Sequence, residues 1–138
     1  MLFNHIGYYS LVMGLIASVL IFFLSLKSYK LKTIDQRIFL ISSLQLFFVL
    51  ISFTSLIICF ITSDFSNETV FNNSHTNKPI FYKISGTWGN HEGSLLLWLL
   101  VLTLFLFLFL IKSKDQSKQY RILTLLFQQI IIIGFFIF

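Results

Sequence analysis

His91 and Glu92 are adjacent, Ser94 follows one turn on, and Trp88 and Trp98 bracket them with Gly86, Gly89 and Gly93 interleaved. Residues of these types could do several kinds of chemistry. A zinc peptidase helix requires a second histidine four positions after the first, and that position is Leu95, which argues against hydrolytic zinc chemistry. A nucleophile and base could be built from Ser94 and His91, but no third group stands nearby in the chain to orient the imidazole. A neutral His91 imidazole at a membrane surface could also be an axial ligand to haem. The alternative is that the segment fixes the start of a helix, and that reading is favoured. Asn90 is then the N-cap, Glu92 sits in the first turn where the helix dipole favours an acid, and the tryptophans lie at the bilayer interface. The other candidates are weaker. His5 and His75 lie in polar or terminal surroundings and read as solvated, and Cys59 has no partner for a disulfide, a CxxC pair or a cysteine metal site.

The elements that position this segment are membrane spans. Of the 138 residues, 57% are hydrophobic and 11% charged, against roughly a quarter charged in ordinary globular chains. A span needs about 20 mostly apolar residues, and four such runs occur, at about 6–26, 38–61, 91–111 and 122–138. We therefore expect an all-α membrane protein in a single transmembrane domain. The net charge of +5 does not indicate nucleic acid, because eight of the ten Lys and Arg residues fall in two short stretches, 27–37 and 112–121. By the positive-inside rule these face the matrix or cytoplasm, which places both termini and the polar loop 62–90 outside. The first run has Lys27 and Lys30 after it and no base before it, the reverse of a cleaved signal peptide, so it is expected to be retained. The last run stops at Phe138 without a polar tail, which suggests a truncated or split protein.

Polar residues inside the runs are sparse and patterned. Gly7, Ser10, Gly14, Ser18 and Ser25 share one side of the first helix and would let another helix approach closely. Ser42, Gln45, Ser52 and Ser55 share half of the second and are expected to hydrogen-bond between helices. The third run is almost unbroken Leu, Phe and Val and should face lipid over much of its circumference. Beyond Glu92 in the first turn of the third run, no charged residue lies within the spans to line a transport path, which ranks a channel or transporter last. The abundance of Phe, Ile, Asn and Lys suits an AT-biased genome, and with no Arg-rich presequence a mitochondrial protein of this kind would be made inside the organelle.

One stretch is specific enough to suggest a family. Asp64-Phe65, Val70, Asn73-Ser74, Pro79 and Tyr82-Lys83 lead into Trp88-Gly89 and then His91-Glu92-Gly93-Ser94-Leu95-Leu96-Leu97-Trp98. This is similar to the CcmF-type cytochrome c haem lyases, and the two preceding spans and the outward loop match the N-terminal part of such proteins. The resemblance implies a place in attaching haem to apocytochrome c, with Trp88, Gly89, His91, Glu92, Gly93, Ser94 and Trp98 as motif positions. It also implies other maturation subunits as partners and apocytochrome c indirectly, in a mitochondrial or bacterial inner membrane. In that family the tryptophan-rich haem-handling segment and the ligating histidines lie downstream of the matched region. The resemblance therefore implies a chain not catalytic alone, beside a separate chain that holds the haem. The competing expectation is a non-catalytic accessory subunit of a respiratory-chain complex.

Overall fold

A computed structural model describes residues 2–137, with Phe138 outside them. The chain folds into four long helices, α1 (Leu2–Leu31), α2 (Arg37–Thr62), α5 (His91–Lys112) and α6 (Lys118–Ile137), and two short ones, α3 (Glu68–Asn73) and α4 (Ile80–Gly86), within the polar loop. All four long helices are long and apolar enough to cross a membrane. Helix α1 packs on α2 and α6, and α5 packs on the same two, so the four form a ring in which α1 and α5 are diagonal. The two short helices and the tips of α1 and α6 gather at one end, called here the loop end.

The helices outrun the apolar runs that announce them. At 1.5 Å per residue the 30 residues of α1 measure about 45 Å, against roughly 30 Å of hydrocarbon. Lys27 and Lys30 therefore lie on the last turns of α1 and not in a loop, because an apolar run measures the bilayer and not the helix. Helix α6 likewise begins at Lys118, four residues before its apolar run, and a 3-10 turn at Ser113–Asp115 occupies the start of the second basic stretch. Arg121 braces that turn, its Nε donating to Ser113 Oγ at 3.1 Å. In the first basic turn the Arg37 N–H donates to Asp35 Oδ1 at 2.9 Å, satisfying one of the open donors at the start of α2.

Both α1 and α2 stop in the same way. Lys32 and Ser63 take left-handed backbone with φ of 53°, and each is followed by a 6→1 bond, Thr33 N–H to Ser28 O and Asp64 N–H to Cys59 O. These are Schellman endings, usually made with glycine.

The core holds small and amide residues as well as aliphatic ones. Ser10, Gly14, Ser18 and Ser25 of α1 are buried, and a Cβ on Gly14 would meet the Phe136 ring at 3.0 Å and Val49 at 3.4 Å. A Cβ on Gly7 would stand 3.2 Å from that of Ser55. Close approach of α1 to its neighbours thus rests on missing side chains. At mid-depth, Ser18 Oγ donates to Gln129 Oε1 at 2.6 Å and Gln129 Nε2 donates to Gln45 Oε1 at 3.3 Å, tying α1, α6 and α2 together. Of the four polar residues of α2 expected to bond between helices, all are buried, but Gln45 alone makes such a bond among the described residues. A serine hydroxyl ends one bond beyond Cβ and does not reach across where an amide does.

Candidate functional site

The site is built from the α2 end upward. Ser63, at the left-handed stop of α2, accepts a hydrogen bond from Lys83 Nζ at 2.6 Å. Lys83 is 7% exposed. Its ammonium sits beside the negative end of the α2 dipole, where a cation is favoured, and it holds α4 against α2. Gly86, on the same side of α4, packs on the Phe60 ring, with 3.5 Å from a notional Cβ to the ring edge. Ile80, Phe81 and Tyr82 in the first turn of α4 are exposed.

From α4 the chain turns straight into α5. Asn90 has extended backbone and its Oδ1 accepts from the Gly93 N–H at 2.7 Å, the expected N-cap. Its amide also reaches backward, Nδ2 donating to Gly86 O at 2.8 Å and Thr87 O at 3.2 Å. One side chain therefore closes the end of α4 and opens α5. Asn90→Ala is expected to lower stability by about 2 kcal/mol, for a lost cap and two orphaned carbonyls. Asn90→Asp, which keeps the acceptor and loses the donors, should cost about 1 kcal/mol. Equilibrium unfolding in detergent compares them, and equal losses would mean that the cap contributes nothing.

The turn leaves Gly93 buried under Thr87. A Cβ built on Gly93 would fall on the Thr87 carbonyl oxygen, well inside contact distance, and 2.8 Å from its carbonyl carbon. Ser94 Oγ donates to the His91 carbonyl at 2.8 Å, so its hydroxyl is engaged with backbone and the nucleophile and base arrangement does not form. His91 and Glu92 are exposed at the tip of α5, and Trp88 and Trp98 are exposed to 42% and 59%. Gly89, also exposed, sits 3.3 Å from the Ser85 carbonyl when given a notional Cβ. His5 and His75 are exposed as well.

His91 and Glu92 stand at the mouth of a cup of about 450 Å³ at the loop end of the bundle. All four long helices contribute to it, and Asn67 and Thr69 reach it from the polar loop. Asn67 is placed by α1, its Nδ2 donating to Asn4 Oδ1 at 2.9 Å while Asn4 Nδ2 donates to Ser66 O at 3.1 Å. These contacts, like Lys83–Ser63, have no local signature in the sequence, since they join residues far apart in the chain. Among the described residues, neither a second histidine nor any Lys or Arg lines the cup to meet the carboxylates of a haem. Among the described residues no group of three or more His, Cys, Asp or Glu could hold a metal ion. The residues present do not make a haem site by themselves.

No family model matches the chain. It is 57% identical over 53 residues to the cytochrome c-type biogenesis protein ccl1 of Rhodobacter capsulatus, covering 38% of this chain and 8% of that protein. It is 39% identical over 94 residues to the cytochrome c-type biogenesis protein CcmF of Pseudomonas fluorescens, covering 68% of this chain and 14% of that protein. In structure it matches the cytochrome c haem lyase CcmF with a TM-score of 0.86 at 26% identity, over 97% of this chain and 23% of that one. The chain is homologous to one part of the CcmF-type cytochrome c biogenesis proteins. A further relative, a probable cytochrome c biosynthesis protein of Oenothera berteroana, is 46% identical over 56 residues, covering 41% of this chain and 9% of that protein. The ring of four helices with its capped loop end is thus a fold shared with the haem lyase CcmF. The chain spans less than a quarter of the length of each of these relatives.

Proposed function

We propose that this chain is the N-terminal subunit or fragment of a membrane haem lyase for cytochrome c maturation, working beside a separate chain that holds the haem. The observation that carries the reading is the structural match to CcmF over 97% of this chain but 23% of that one. What the chain contributes on this reading is a braced platform at the outer surface, the α4–α5 junction with its Trp88 to Trp98 motif, against which the haem-holding part packs. The cup's lining supports placing haem on the partner, since among the described residues it offers no Lys or Arg for the propionates and no second imidazole. The basic turns 27–37 and 112–121 support an intermembrane-space or periplasmic side for both termini and the motif. A mitochondrial inner membrane with organellar synthesis fits the composition, and a bacterial inner membrane is the other setting.

The test is gentle purification of the tagged chain from its native membrane, with haem absorbance and identification of the co-purifying chains. Expected is a partner carrying a tryptophan-rich segment and membrane histidines, with the haem spectrum following that partner when the two are separated. Stoichiometric co-migration with an oxidase or dehydrogenase, with no maturation protein present, would overturn the proposal in favour of an accessory respiratory subunit.

A further inference from the structure

The cup at the loop end has features that the haem lyase reading leaves unused. Its depth follows from its lining: along α5 it runs from His91 to Leu99, and along α2 from Cys59 to Ser52, about 11–12 Å at 1.5 Å per residue. Its volume, about 450 Å³, falls in the range of small-molecule sites, roughly 300–1,000 Å³. Much of the wall is apolar, with Leu11, Leu56, Leu96, Leu99 and Phe136 from all four long helices. Set into that wall are Ser52 and Ser55, each 4% exposed.

Most hydroxyls of the long helices are engaged locally, and the unbonded Ser25 and Ser42 are sealed away from the cup. Ser10, Ser43, Thr54, Thr62, Thr103 and Thr124 each donate to a carbonyl one turn back, as hydroxyls in membrane helices commonly do. Ser52 and Ser55 make no such bond and line the cup. A buried hydroxyl without a partner costs free energy that a bound oxygen would restore. Among the described residues no Lys or Arg lines the cup, and the acid Glu92 stands at its mouth, which disfavours an anion. A charge placed deep beside two neutral hydroxyls would lose its hydration without an opposite charge.

We propose that the cup is a binding site for an uncharged amphiphile from the bilayer, with its apolar body against the leucines and a hydroxyl or carbonyl oxygen hydrogen-bonded to Ser52 and Ser55. The site is independent of where haem is held. The test uses the whole chain in phosphatidylcholine nanodiscs and a diazirine-bearing decan-1-ol as photoprobe, with adducts mapped by mass spectrometry. Adducts are expected on residues lining the cup, such as Leu56 and Leu96. Excess decan-1-ol should suppress them at least fivefold, whereas decanoate and decyltrimethylammonium should not. Ser52→Ala with Ser55→Ala should reduce cup labelling at least fivefold, and Leu96→Trp, which fills the cup, should abolish it, with helix content checked by circular dichroism. Adducts spread evenly over outward residues such as Phe47 and Phe105, equal competition by either charged homologue, or unchanged labelling in a folded variant would overturn the proposal. If a variant fails to fold, competition on the unsubstituted chain still decides it.

Discussion

Gly93→Ala is expected to disrupt the α4–α5 junction and to lower the stability of the folded chain by about 4 kcal/mol, a loss reserved for severe steric or buried-polar faults. The added Cβ would occupy the place of the Thr87 carbonyl oxygen, and neither group can step aside. Thr87 is buried, its N–H is bonded to Ile84 O and its carbonyl to the Asn90 amide, while Gly93 N–H is held by the other end of the same Asn90 side chain. Moving the Thr87 carbonyl therefore breaks the cap as well. Gly134→Ala supplies the control, since a Cβ there meets nothing within 4 Å. That change should be neutral or stabilise by up to about 1 kcal/mol. Denaturant unfolding in mixed micelles measures both, and hydrogen exchange at residues 87–94 localises the Gly93 effect. A Gly93→Ala protein as stable as the unsubstituted one would refute the packing described for this turn.

The second large effect is expected at mid-membrane. Gln129 accepts from Ser18 and donates to Gln45, so Gln129→Ala removes both bonds and opens a void where a fully buried side chain stood. Polar bonds between membrane helices are modest, about 0.6 kcal/mol on average. Truncation of a buried side chain to Ala costs about 2–5 kcal/mol. The loss should therefore be about 3 kcal/mol and come mainly from packing. Gln129→Met, of similar volume and without the bonds, should lose only about 1 kcal/mol. Comparable losses in the two variants would instead assign the stability to the hydrogen bonds.

These residues also show what can be read along a chain and what cannot. The four spans, the small face of α1 and the Asn90 cap are local patterns of hydropathy, size and capping chemistry, and each is present in the structure. The helix ends beyond the hydrocarbon were not legible, because Lys27, Lys30 and Lys118 look like loop residues until the helix is seen to carry them into the headgroup region. The stops at Lys32 and Ser63 were hidden because their left-handed turns lack the glycine that usually marks one. Helices α3 and α4, of six and seven residues, are too short to hold themselves in water and exist by tertiary contact, α4 through Lys83 and Gly86. At the candidate site, the special role of Gly93 was visible only as one glycine among three. The carbonyl that excludes a side chain belongs to a residue six positions earlier and points there only after Asn90 has folded the turn.

The neighbour of Gln129 bears on how such a chain enters a bilayer. Helix α6 is the least apolar of the four long helices, with Gln128 and Gln129 adjacent in its middle. Gln128 Nε2 donates to the Leu102 carbonyl of α5 at 3.2 Å, while Gln129 is satisfied by α1 and α2. An α6 released alone would bring two bare amides into hydrocarbon. Synthesis order avoids this, because α1, α2 and α5 precede it, and each amide finds its acceptor or donor already in place. The two glutamines thus tie the stability of α6 in the bilayer to the three helices that precede it.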